Sequence, residues 1–118
     1  MASTTFPNPS NEAYANAGIT GVTGTKSGNV VQLYFYIGTP ITATQAGYVT
    51  LGTLAARFRP AHDIATIIID NSASTRGNMP IFITISASGA VQWYATGAGD
   101  KCLPRGTVTY IAANSSIS

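Results

Sequence analysis

Apolar and polar side chains alternate with a period of two along much of this chain. In NVVQLYFYIG, residues 29–38, Val31, Leu33, Phe35 and Ile37 fall on one face, and Val30, Gln32, Tyr34 and Tyr36 on the other. The pattern predicts a strand whose first face is core. A second block, MPIFITISASGAVQWYATG, reads as a hairpin. Ile81, Ile83 and Ile85 alternate before a SASGA turn that uses Gly89, and Val91 and Trp93 then alternate against Gln92 and Tyr94. IATIIID differs, being apolar on both faces, with Ile64 and Ile68 set against Ile67 and Ile69. A strand of that kind needs cover on two sides, either at the centre of a sandwich or under another subunit.

Further strand-like runs, GITGVTG, GYVTLGTL and GTVTYIAA, bring the expected total to roughly seven or eight. No window keeps apolar residues at helical spacing over successive turns, and FPNP near the start bars a helix there. Short strands at intervals of about ten residues predict an all-β fold, a single antiparallel β-sandwich or jelly-roll-like domain. Residues 1–16, rich in Ser, Thr, Asn and Pro, read as a flexible lead or linker, and 17–118 as the domain.

Composition narrows the function classes. The chain has 118 residues, one domain's worth, and only 8% of them are charged, about a third of the ordinary share. Thr, Ser, Asn and Gly must therefore carry the polar surface, as they do in stable viral and extracellular β-proteins. Lys26, Lys101, Arg57, Arg59, Arg76 and Arg105 against Glu12, Asp63, Asp70 and Asp100 leave a net charge of +2 and no basic stripe, so no nucleic-acid partner is expected. A single cysteine, Cys102, and a single histidine, His62, exclude an intrachain disulfide and a metal-ligand cluster, and Cys102 reads as a small buried thiol. The first residues show neither the basic start nor the apolar stretch of a secretory signal, and IATIII is too short for a membrane span. The expectation is a chain made in a host cytoplasm, without membrane insertion.

The segment TLAARFRPAHD, Thr53 to Asp63, gathers two arginines, a proline and the histidine just before the most apolar strand. Its structural reading is a corner: a strand ends near Leu54, Phe58 turns back to plug the core edge, and Pro60 fixes the exit before a new strand at Ile64. Leu54, Phe58, Arg59 and Pro60, followed by ITISASGAV at 83–91 and TYI at 109–111, occur in an order that resembles small β-sandwich domains of bacteriophage tail and baseplate proteins. The resemblance spans about Gly18 to Ala112 and departs from the family at Ala55, where proline is usual, and at Arg57, where a small residue is common. It implies a homotrimeric appendage that contacts other virion proteins, and in several members binds a host-surface saccharide.

The residues themselves favour binding over catalysis. His62 beside Asp63 is the one candidate dyad, but sequence neighbours usually point apart and no GxSxG-like element supplies a nucleophile. Asp70 and Asp100 read as turn residues in DNSAS and GAGDK. GTKSGN and TGAGDK lack a following helix, so they read as hairpin loops and not as phosphate cradles. Alternation puts Gln32, Tyr34 and Tyr36 on the outer face of one strand and Gln92 and Tyr94 on that of another. Side by side, the two strands would form a Tyr and Gln surface suited to a subunit interface or a ligand platform. Arg57, Arg59 and His62 are rim candidates, with Arg76 and Arg105 as further members of an arginine rim. Trp93 falls inward, as core.

The expected function is a viral structural domain of a tail fibre or baseplate, homotrimeric, attached to the virion, and binding host-surface polysaccharide through multivalent weak contacts. Catalytic residues, metals and cofactors are not expected. The alternative keeps the fold and reads the chain as a capsid or tail decoration or trimerisation module that binds no host ligand.

Overall fold

The computed structural model describes residues 12–72 and 77–113. Its strands are β1 (Glu12–Ile19), β2 (Val22–Ser27), β3 (Val30–Tyr36), β4 (Ile41–Thr42), β5 (Gly47–Thr53), β6 (Ile64–Ser72), β7 (Gly77–Ile85), β8 (Ala90–Ala95), β9 (Lys101–Cys102) and β10 (Pro104–Ile111). One 3-10 turn, Ala56–Phe58, lies between β5 and β6. The all-β antiparallel fold read from the sequence is thus the observed one.

Eight strands form one curled antiparallel sheet in the order β1-β2-β3-β10-β6-β7-β8-β5, while β4 and β9 pair as a small separate ribbon. The sheet divides into two four-stranded halves. Within the second, β6, β7 and β8 follow one another as hairpins and β5 lies beside β8, a Greek-key order. The halves are joined on one side by only two residue pairs of β10 and β6, Pro104 with Asp70 and Arg105 with Ile69. On the other side the amide of Ala55 donates to the carbonyl of Ala17 at 2.8 Å, drawing the end of β5 to β1. Gly18 makes that approach possible. Its φ is +104°, and a Cβ there would lie 2.8 Å from the Ala55 nitrogen.

The core fills the space between the halves. Val31, Leu33, Phe35 and Ile37 are buried as their alternation predicts, facing Ile81, Ile83, Ile85, Val91 and Trp93 from the second half. Phe58 plugs one end, fully buried. Cys102 is buried, as read from the sequence. Gly89 closes the β7–β8 turn with a φ of +95°, its amide donating to the Ser86 carbonyl at 2.8 Å.

Four expectations change. β1 begins at Glu12, inside the segment taken as a flexible lead, because Ala15 and Asn16 pair with Gly24 and Thr23 of β2; residues 1–11 lie outside the described ones. GITGVTG is the end of β1, a tight turn and the start of β2, with no strand of its own. Asp70 is not a turn residue: it faces inward from β6, fully buried, and its Oδ1 accepts the Leu103 amide at 2.9 Å. Finally, the strand that is apolar on both faces is covered on one: Ile68 is buried, whereas Ile67 and Ile69 are 57% and 46% exposed.

Tyr110 joins β10 to the corner, its hydroxyl donating to the Phe58 carbonyl. Burial pushes this phenol upward from its ordinary value of about 10. The unfolded chain therefore loses the proton at a lower pH than the folded chain does. The stability tied to Tyr110 is fully present below a pH of about 10 and is lost as the pH rises beyond it, by up to about 1.4 kcal/mol per pH unit. Denaturant unfolding between about pH 9 and about pH 11 is expected to show a steeper loss in the wild type than in Tyr110→Phe; equal slopes would remove Tyr110 as the source.

Candidate functional site

The strands that carry the two Tyr and Gln sets do not lie side by side. β3 and β8 are separated by β10, β6 and β7, so Gln32, Tyr34 and Tyr36 belong to the first half and Gln92 and Tyr94 to the second. Alternation predicted their outward direction correctly, but strand order places them in two separate clusters.

The first cluster draws in a residue from β1. The Tyr14 hydroxyl donates to Gln32 Oε1 at 2.7 Å, and the Tyr14 and Tyr34 rings meet edge to face at 6.3 Å between centroids. Tyr34 and Tyr36 stack at 6.0 Å. The Arg105 guanidinium sits 3.9 Å over the Tyr36 ring and donates to the Ile37 carbonyl at 3.1 Å.

The second cluster draws on β5. Tyr48 and Tyr94 meet edge to face at 5.2 Å, and Gln92 Nε2 donates to Thr50 Oγ1 at 3.1 Å. Beside them a groove of about 370 Å³ runs across β5, β8, β7 and the start of β6, lined by Tyr48, Gln92, Thr84, Ser86, Asp63 and Ala65. Its size falls within the range of small-molecule sites, about 300–1,000 Å³. It combines an exposed aromatic ring, an amide, two hydroxyls and one carboxylate on a floor of paired strands. A larger cavity of about 570 Å³ lies between Ile19, Ile37, Ile41 and Leu51, with Thr20 and Thr39 as its polar side chains. It offers neither an aromatic ring nor an ionisable group, so the smaller groove is the stronger candidate.

The rim candidates serve the corner. Arg59 Nε donates to the Leu54 carbonyl at 3.0 Å, and the same side chain packs on Gly89 so closely that a Cβ there would lie 2.8 Å from Nε. Arg57 lies 4.5 Å over the Phe58 ring. His62 is exposed, and its neighbour Asp63 turns elsewhere, Oδ1 accepting the Ala87 amide at 2.7 Å. The expected arginine rim does not form among the described residues. Arg57 and Arg59 stand at the end of the domain where Pro60 bridges Ala112, whereas Arg105 stands opposite Tyr36 at the other end of β10, roughly 20 Å along the strand. Arg76 lies outside the described residues.

Some contributors escaped the sequence reading. Tyr14 was hidden in the segment taken as a lead, and Tyr48 was not singled out on its strand. Lys26, only 1% exposed, donates from Nζ to the Arg57 carbonyl at 2.7 Å. Its signal was present, since Val22, Gly24 and Lys26 share the inward parity of β2. Asp100 behaves as a turn residue should, its Oδ2 accepting both the amide and the hydroxyl of Thr96 at 2.8 and 2.9 Å.

No protein-family model matches the chain, and no curated protein does. The separate duties of His62 and Asp63 can be measured directly. Asp63→Ala is expected to cost about 1 kcal/mol in denaturant unfolding, the net worth of its bond to Ala87, while His62→Ala leaves the midpoint unchanged. Equal losses in the two variants would couple the pair after all.

Proposed function

We propose that this chain is a structural β-domain of a virus-particle appendage, of the bacteriophage tail-fibre or baseplate kind, and that it holds a saccharide of the host surface in the groove beside Tyr48. The groove is the observation that carries the reading. A pyranose ring presents an apolar C–H face and a rim of hydroxyls, and the groove answers both. The Tyr48 ring, 56% exposed, supplies a flat apolar platform, while Gln92, Thr84, Ser86 and Asp63 supply donors and acceptors at its edge. The one ionisable side chain in the lining is an acid, Asp63, which favours a neutral or amino-bearing sugar over an anionic one.

These groups hold a ligand and are not arranged to transform it. A shallow site of this kind binds weakly by itself, and repetition makes it effective: several copies on one appendage raise the local concentration of sites and convert weak contacts into stable attachment. The low charge and the predominance of strand suit a particle that persists outside cells. A second reading, a decoration or trimerisation module without a host ligand, is favoured by the large apolar side chains exposed elsewhere on the same sheet.

Ligand-observed NMR with neutral malto-, cello- and chito-oligosaccharides distinguishes the two. Binding is expected for the wild type and is expected to weaken about tenfold in Tyr48→Ala, the equivalent of about 1.4 kcal/mol, without a change in the unfolding midpoint. Wild-type protein that binds none of the sugars would remove the attachment reading in favour of the module without a ligand.

A further inference from the structure

The outer face of the second half carries its large side chains in one row that crosses all four strands. Tyr48 of β5 pairs with Tyr94 of β8, and Phe82 of β7 pairs with Ile67 of β6. The pairing of Ile83 with Trp93 sets Phe82 beside Tyr94 and makes the row continuous. All four side chains stand in water, between 45% and 57% exposed. The next row toward the corner, Thr50, Gln92, Thr84 and Ala65, is polar or small, with Gln92 and Thr84 half-buried. Its last three members line the groove of about 370 Å³, together with Ser86 and Asp63 on the side away from the large row and Tyr48 on the near side. The groove therefore runs across the strands as a polar trough, and the apolar row follows it as a ridge from β5 to β6.

We propose that this trough and ridge hold a straight, equatorially linked glycan chain that lies across the strands with one sugar ring to each strand. The inference deepens the proposed function, on which it rests, by naming the class of saccharide and the number of rings the site reads. Length is the first argument. Four paired strands span three spacings of about 4.8 Å, or about 14 Å from Tyr48 to Ile67. One residue of an extended, equatorially linked chain advances by close to one such spacing, so successive rings fall into step with Tyr48, Tyr94, Phe82 and Ile67. An axially linked chain coils and leaves the row after its second ring.

The chemistry of the two rows is the second argument. Each ring of such a chain has an apolar C–H face and hydroxyls at its edge, and at each step the ridge offers apolar surface while the trough offers an amide or hydroxyl beside it. Charge is the third. No lysine or arginine belongs to either row, and Asp63 is the only carboxylate in the lining, so the chain that fits is uncharged or bears amino groups. An extended peptide is a poorer occupant. The amides and carbonyls of β7 and β8 are taken up by neighbours on both sides, which leaves no main-chain ladder for a peptide to join.

The test is the affinity of wild type, Tyr48→Ala and Phe82→Ser for cellobiose, cellotetraose, maltose and maltotetraose, by titration in ligand-observed NMR. Wild type is expected to bind cellotetraose about tenfold more tightly than cellobiose, and maltotetraose no more tightly than maltose. A disaccharide seated at Tyr48 and Tyr94 does not reach Phe82. Phe82→Ser is therefore expected to abolish the gain with length and leave cellobiose binding unchanged, whereas Tyr48→Ala weakens both. Ile67→Ser repeats the far end of the row should Phe82→Ser fail to fold. Equal affinity for cellobiose and cellotetraose, or an equal gain in the malto series, would overturn the row as a chain site while leaving the groove a sugar site. Absence of binding to every sugar would remove the proposed function and this inference together. A wild type heavier than 12.2 kDa by light scattering that falls to that mass in Phe82→Ser would give the row to a second copy of the chain and overturn the proposal.

Discussion

A chain that leaves one strand, turns over the end of a sandwich and enters the next carries a run of backbone carbonyls to the edge of the core, and each of them needs a donor. Between Leu54 and Arg59 every carbonyl finds one. Leu54 is met by Arg59 Nε, Ala55 by the Phe58 amide, Ala56 by the Arg59 amide, Arg57 by Lys26 Nζ, Phe58 by the Tyr110 hydroxyl, and Arg59 by the Ala113 amide. Two of the donors are side chains of β2 and β10, which belong to the other half of the sheet. Satisfying the corner therefore fastens the two halves together at the end that bears Phe58. The alternative, polar backbone buried without a partner, costs about 1–3 kcal/mol at each group.

That constraint explains residue choices that would otherwise look misplaced. A lysine at the inward position of β2 has its stem among apolar side chains and its ammonium on a carbonyl, a position where a methionine would fill the space and leave Arg57 O without this donor. Tyr110 does the same for Phe58, and Arg59 bends back on Leu54 while its stem packs against the Gly89 turn. The arginines and the histidine crowded into this segment thus divide by geometry. The arginines stack and donate within the corner, and His62 alone faces water.

Alternation made the inward faces of β3, β7 and β8 legible, because one buried face imposes a period of two and those strands have large side chains on it. Strand order was not legible. Gln32 and Tyr34 resemble Gln92 and Tyr94 in pattern, yet nothing in alternation records that three strands intervene. β1 escaped because Ala15 and Ala17 pair and pack without the bulk that marks a strand, and Tyr14 escaped with it. Asp70 looked like the start of a turn because Asn71 and Ser72 follow it, whereas its parity with Ile68 set it inward, on the Leu103 amide. The groove combines residues from β5, β7, β8 and the start of β6, so its membership is a product of pairing and not of any one segment.

The closure of the sheet also decides where such a domain is able to meet other molecules. In an open sheet the edge strands offer unpaired amides and carbonyls, and association begins there. Here β1 and β5, the two edges, are drawn together through Ala17 and Ala55, and the weak β10–β6 junction is bridged by Asp70 reaching to Leu103. Association by added strands is discouraged, and the outer faces are left. On the outer face of the second half Thr84 pairs with Gln92 beside the exposed Asp63, and the next row toward the far end holds Ile67, Phe82, Tyr94 and Tyr48, large side chains that gain by leaving water; Val30 and Ile111 stand exposed at the corner end of β3 and β10.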